Sequence, residues 1–135
     1  MKLFVYGSLR EGKGLNYLLK DSTFLGQYKT QGEFYMFGLK SGAFPYVTDE
    51  QLDESCKPTK IIGEVYEVPD ALIEELDDIE NHPDHYTRSE VVLEDFDDEV
   101  QMYLLRDPGT KASIKNHFNW RFVSINNGDF CNKSE

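Results

Sequence analysis

Apolar positions along the chain fall mostly in short extended runs, with one clear helical repeat among them. Residues 2–6 hold Leu3, Phe4, Val5 and Tyr6 in succession and predict a buried strand that stops at Gly7. Residues 10–14 form a glycine-rich loop, and residues 15–20 read as a short helix. Residues 23–38 carry Phe24, Leu25, Tyr28, Phe34, Tyr35, Met36 and Phe37, which predicts two strands broken near Gly32. Residues 44–48 predict another extended piece, which Pro45 places at an edge or in an irregular segment. Residues 49–58 are polar and read as a loop. Residues 61–68 alternate good β formers and predict a strand. Pro69 then opens a helix running to about Glu80, since the first helical turn does not need the missing proline N–H. Residues 86–96 and 100–106 predict a hairpin joined by the acidic turn Asp95-Phe96-Asp97-Asp98-Glu99. Beyond Asp107 the chain is polar, with Trp120, Phe122 and Val123 as its packing anchors. No repeat or linker divides residues 1–135, so one domain is expected. Strands that do not alternate regularly with helices predict an α+β fold, with a mixed, barrel-like sheet and two main short helices.

The helical repeat singles out one acid. Side chains advance by about 100° per residue, so with Ile73 at zero, Leu72, Leu76 and Ile79 fall at about −100°, −60° and −120°. These four define one apolar stripe. Glu80 falls at about −20°, inside it, while Glu74, Glu75 and Asp78 point away and Asp77 sits on the flank. Burial disfavours the charged form of a carboxylate, and the negative end of the helix dipole acts in the same direction. Both raise the pKa toward the range a general acid/base needs near neutral pH. The alternative for a helix-end Glu is a packed stem with its head in water.

The chemistry of the first loop is less specific. Tyr6-Gly7-Ser8-Leu9 leaves the first strand directly, and a glycine there permits a turn closed to other residues. Backbone N–H groups of such a turn converge on a carboxylate or phosphate, and Ser8 adds a hydroxyl; a plain strand-exit turn has the same pattern. No Gly-Lys-Ser/Thr follows, so it is not a Walker loop, and Ser8 is not in a Gly-x-Ser-x-Gly elbow.

Composition narrows the partners. The net charge of −11 argues against nucleic acid and anionic membranes, which require concentrated Lys and Arg. Eight Tyr and nine Phe suit strands and a lined cavity. The apolar start is too short for a signal peptide or membrane span. Cys56 and Cys131 lack metal-ligand spacing; free thiols in a reducing cytoplasm are the simplest reading, with a disulfide between them left open. His82, His85 and His117 fit no zinc spacing and read as solvated loop histidines. Arg88 is expected to pair with the acidic surface rather than with a substrate. The bond before Pro83 is open to either isomer. A monomer is the default.

Three segments together carry a resemblance. Phe4-Val5-Tyr6-Gly7-Ser8-Leu9-Arg10 with Gly12 and Gly14, then Gly63-Glu64-Val65-Tyr66-Glu67-Val68, then Leu76-Asp77-Asp78-Ile79-Glu80 followed by Tyr86-Thr87-Arg88, resemble the gamma-glutamylcyclotransferase-like family in order and separation. The insert Asn81-His82-Pro83-Asp84-His85 is similar to that of its gamma-glutamylamine cyclotransferase branch. Asn127-Gly128-Asp129-Phe130 is similar to the Gly-Asp-aromatic close of relatives. The resemblance implies an enzyme that releases 5-oxoproline and a free amine from a gamma-glutamyl compound without metal or cofactor. It implies Glu80 as the proton carrier, and Tyr6, Gly7, Ser8 and Leu9 as the loop holding the glutamyl portion. Tyr86 and Tyr103 are candidate pocket residues. A non-catalytic binding or stress-response protein on the same fold is the competing class, and gamma-glutamyl amino acids are the competing substrates.

Overall fold

A computed structural model describes residues 1–7, 9–41 and 45–130. The elements in chain order are β1 (Lys2–Val5), a 3₁₀ helix (Asn16–Leu19), β2 (Thr23–Lys29), β3 (Tyr35–Leu39), β4 (Pro45–Thr48), β5 (Ile62–Glu67), α1 (Asp70–Ile79), β6 (Tyr86–Leu93), β7 (Phe96–Leu105), α2 (Pro108–Asn116) and β8 (Phe122–Ser124). They form a mixed α+β fold with two sheets. The larger has the order β2-β5-β1-β7-β6 and the smaller β4-β3-β8, and the two are not closed into a barrel.

β1 is the centre of the molecule, and its uninterrupted apolar run has a direct cause. Alternate residues of a strand face opposite sides, so a strand covered on both sides needs apolar residues at every position. Phe4 and Tyr6 pack with Met36 and Val47 of the smaller sheet and with Met102 and Leu104 of β7. Leu3 and Val5 pack on the other side against Ile73 and Leu76 of α1. A third cluster joins Phe37, Leu105 and Phe122 to Ile114 of α2.

Chain direction then brings the ends together. β5 runs antiparallel to β1, with Lys2 opposite Glu67, so α1 begins beside the start of β1. Its 10 residues span about 15 Å at 1.5 Å each, enough to return along β1 to the end where that strand finishes. β7 is parallel to β1, with Leu3 opposite Gln101, so β7 ends at the same place. β6 starts there, with Tyr86 opposite Leu105.

Several expectations need correction. The hairpin turns through Glu94 and Asp95 alone, with Asp95 at φ 62°, and residues 96–99 already belong to β7. The run of acids is therefore the exposed start of a strand, not a turn. The polar tail contains a second helix, α2, which docks through Ile114. Trp120 is 70% exposed and lies against His117 rather than in the core. Ile79, expected in the apolar stripe, is 53% exposed, while Ile73 and Leu76 are buried as the spacing requires. The short helix after the loop is a single 3₁₀ segment.

Candidate active site

The carboxyl ends of β1, β7 and α1 and the start of β6 surround a pocket of about 300 Å³. Glu80, Tyr6, Gly7, Leu9, Tyr86 and Tyr103 all line it. Ser8 lies outside the described residues. Phe4, Val5, Leu15, Pro45, Tyr46, Ile79 and His85 complete the wall.

Glu80 terminates α1, and its own N–H donates to the Leu76 carbonyl at 2.9 Å. Its side chain is directed into the pocket and meets no hydrogen-bond donor among the described residues. Burial raises its pKa from 4.5 to about 7. Such a carboxyl group holds and releases a proton with equal ease near neutrality.

Three tyrosines around it differ in what their hydroxyls do. Tyr6 is buried and donates to the Tyr103 carbonyl at 2.6 Å, a bond between the ends of β1 and β7. Tyr103 donates to Asp77 Oδ1 at 2.6 Å. Asp77 in turn accepts both Nε and Nη2 of Arg88 at 3.0 Å. Burial pushes the Asp77 carboxyl up, but the Arg88 and Tyr103 hydrogen bonds outweigh it and hold the group below its usual value. Asp77 is thus held in its charged form near neutral pH and committed to Arg88 and Tyr103, whereas burial moves Glu80 the other way. Burial pushes all three phenols up, and the Glu80 charge adds to it, so they stay protonated. Tyr86 is the one of the three whose hydroxyl meets no acceptor among the described residues.

The loop opposite is shaped by a close approach. A Cβ at Gly7 would lie 2.7 Å from Pro45 Cγ and 2.9 Å from Cδ, so only glycine lets the loop lie against β4. The Gly7 carbonyl accepts the Arg10 N–H at 3.0 Å, closing a tight turn. The N–H groups of Gly7 and Leu9 meet no acceptor among the described residues. Such unpaired amides at a pocket wall are suited to an anionic or carbonyl oxygen.

Sequence reasoning missed Pro45, Tyr46 and His85 in the wall. Pro45 and Tyr46 reach it only through pairing of the smaller sheet, which leaves no local signal. His85 stands in the insert after α1, with its ring edge-on to Tyr86 at 4.9 Å, and is half-buried rather than solvated. His82 likewise has a structural partner, since its Nδ1 accepts the Arg88 N–H at 2.9 Å. The His82–Pro83 bond is cis. Arg88 pairs with the partly buried Asp77 of α1 rather than with the exposed acids of the surface where it was expected. Cys56 is a buried free thiol, and Cys131 lies outside the described residues. Among the described residues no three His, Cys, Asp or Glu side chains converge as a metal site, and no helix is long and apolar enough to cross a membrane.

Comparison with known proteins bears on what this pocket belongs to. Residues 3–122 match the family described as gamma-glutamyl cyclotransferase, AIG2-like. A Methanocaldococcus jannaschii protein named "Putative gamma-glutamylcyclotransferase" is 36% identical over 104 residues, which cover 76% of this chain and 80% of that one. Among solved structures, an uncharacterised Pyrococcus horikoshii protein superimposes with a TM-score of 0.65 at 25% identity, covering 96% of this chain and 89% of the other. An AIG2-like protein from Mus musculus shares the fold with a TM-score of 0.62 at 24% identity, covering 80% of each chain. The chain belongs to the AIG2-like gamma-glutamyl cyclotransferase family.

Proposed function

We propose that the protein releases 5-oxoproline and a free amine from gamma-glutamylamines, such as gamma-glutamyl-ε-lysine, with Glu80 as general acid/base. One observation carries the reading: a carboxyl group with a pKa of about 7 lines the same small cavity as Gly7 and Leu9, whose N–H groups meet no acceptor among the described residues.

The α-amine of the gamma-glutamyl group attacks its own side-chain carbonyl. A carbon–nitrogen bond forms and the carbonyl oxygen gains the electron pair. Glu80 takes the proton that the amine loses, then returns it to the leaving nitrogen as the original carbon–nitrogen bond breaks. Donors are needed where the oxyanion develops. Among the described residues, the Tyr86 hydroxyl and the Gly7 and Leu9 amides are available, with the loop Tyr6 to Leu9 holding the glutamyl portion. Because nucleophile and electrophile belong to one molecule, binding it folded removes much of the entropic barrier.

The wall also supports the amine as leaving group. Apart from its tyrosines, the ionisable side chains among the lining residues are Glu80 and His85, with no Lys or Arg. A carboxylate directly beside the scissile nitrogen, as in glutathione or a gamma-glutamyl amino acid, finds no Lys or Arg among these lining residues to offset its desolvation. The ε-nitrogen of lysine brings only methylenes into the pocket and keeps its charged end outside.

The test is 5-oxoproline release from gamma-glutamyl-ε-lysine, gamma-glutamyl-alanine and glutathione. The expected result is the highest kcat/KM for the first, and a loss of about 10²-fold or more in Glu80→Gln with the fold retained. Full activity in that variant, or no turnover of any gamma-glutamyl compound, overturns the proposal.

A further inference from the structure

The segment that follows β8 packs into the core with Phe4 and Tyr6 through Ile125 and Phe130, and it also meets the loop that forms one pocket wall. Gly128 has φ 72°, its carbonyl accepts the Ile62 N–H at 2.8 Å, and a side chain there would run into the Lys60 carbonyl. The backbone is therefore pressed onto the start of β5, where only glycine fits. This seating sends the next two residues toward the loop. The Asp129 carboxylate accepts Arg10 Nη1 at 2.8 Å, and the buried Phe130 ring lies under Lys13 Nζ at 5.9 Å from its centroid.

Arg10 is the hub of this contact. It is 4% exposed, and its guanidinium also reaches Glu64 through Nε at 3.3 Å and Gln27 through Nη2 at 3.4 Å. Glu64, 6% exposed, accepts the Glu11 N–H at 2.8 Å as well. The Arg10 N–H closes the turn on the Gly7 carbonyl. Asn16 completes the set by donating to the Leu9 carbonyl at 2.9 Å. One guanidinium facing two carboxylates in a buried setting specifies a single arrangement, because each unpaired member would be costly. The loop is thus fixed from the side away from the pocket, which Gly7 and Leu9 line.

We infer that Asp129 and Phe130 form a clasp that positions the loop after β1 through Arg10 and Lys13, making Asp129 a positioning residue for substrate binding. The inference rests on the proposed role of that loop in holding the glutamyl portion. It predicts a binding defect with the proton-transfer group untouched.

Asp129→Asn keeps the shape and removes the charge, and Asp129→Ala removes the contact. Two measurements on the full chain are informative. In hydrogen exchange, the amides of residues 7–13 are expected to exchange about tenfold faster in Asp129→Asn, and faster again in Asp129→Ala, while those of β6 and β7 keep their protection. In 5-oxoproline release, KM is expected to rise about tenfold with kcat within about twofold and its pH midpoint unchanged. Unaltered loop exchange in both variants overturns the clasp, as does a uniform loss of protection across the sheet. A shifted pH midpoint with KM unchanged also overturns it. Should the unsubstituted protein release no 5-oxoproline, the proposed function fails by itself, and the exchange measurement alone decides the clasp.

Discussion

Glu80 carries a stability cost that can be measured without any substrate. Its folded pKa of about 7 lies above the ordinary 4.5. Below pH 4.5 the side chain is neutral in both folded and unfolded chains and costs nothing. Between pH 4.5 and 7 the unfolded chain loses the proton while the folded one keeps it, so stability falls. Above pH 7 the folded side chain is ionised too, and the full penalty is present. At about 1.4 kcal/mol per pH unit, the separation amounts to about 3 kcal/mol. Gln has the same shape and no charge, so Glu80→Gln should match the unsubstituted protein at pH 4 and exceed it by up to about 3 kcal/mol at pH 8. Urea unfolding of both proteins from pH 4 to 9 measures this. Groups common to both cancel in the difference, which should change with a midpoint between the two pKa values. A difference that stays flat across that range refutes a desolvated, titrating Glu80. The most active chain would then be the less stable one, as expected where a functional group is held against its own preference.

Two further substitutions probe the walls of the pocket. Gly7→Ala would place a methyl 2.7 Å from Pro45 Cγ, so thermal unfolding should show a loss of about 1–3 kcal/mol, and 5-oxoproline release should fall with it. Arg88→Met leaves the 18%-exposed Asp77 carboxylate without its cation and should cost about 2 kcal/mol at pH 7, less than a fully buried pair would. Because Asp77 has a lowered pKa, its contribution is present above the ordinary aspartate value and is lost as pH falls through the folded one. The acid-side decline in stability should therefore be shallower in Arg88→Met, as read by denaturant unfolding from pH 2 to 6.

What can be read from the sequence follows from how local each signal is. The β1 run and the α1 periodicity are local, and they suffice to place Tyr6, Gly7 and Leu9 at the exit of a buried strand and Glu80 at the end of a helix. That these residues share a pocket depends on parallel pairing of β1 with β7, a contact between segments about a hundred residues apart, which no local pattern records. The family resemblance supplies that step. The phase of Ile79 is right as a direction but not as burial, because Ile79 lines the pocket instead of packing in the core. The α2 helix buries only Ile114 and so shows almost no apolar stripe, though its start is legible. Asp107 accepts the Thr110 N–H at 2.9 Å ahead of Pro108, a capped and proline-initiated first turn. The acidic run in the hairpin misleads because charged strand residues on an exposed extension look like a turn, whereas Asp95 alone adopts the left-handed conformation that reverses the chain.

The common direction of β1, β7 and α1 gives the molecule two poles with different freedoms. All the proposed chemistry is gathered at the pole where these three elements finish, and the Glu94–Asp95 reversal stands at the other. Glu94 pairs there with Lys29 and Lys60, and none of these side chains reaches the pocket. The hairpin end is nonetheless anchored to β2, through the Glu94 N–H on the Lys29 carbonyl and the Gln31 N–H on the Val92 carbonyl. A lineage that lengthens it, or an experimenter who grafts a reporter there, must leave those bonds in place for the reacting end to keep its geometry.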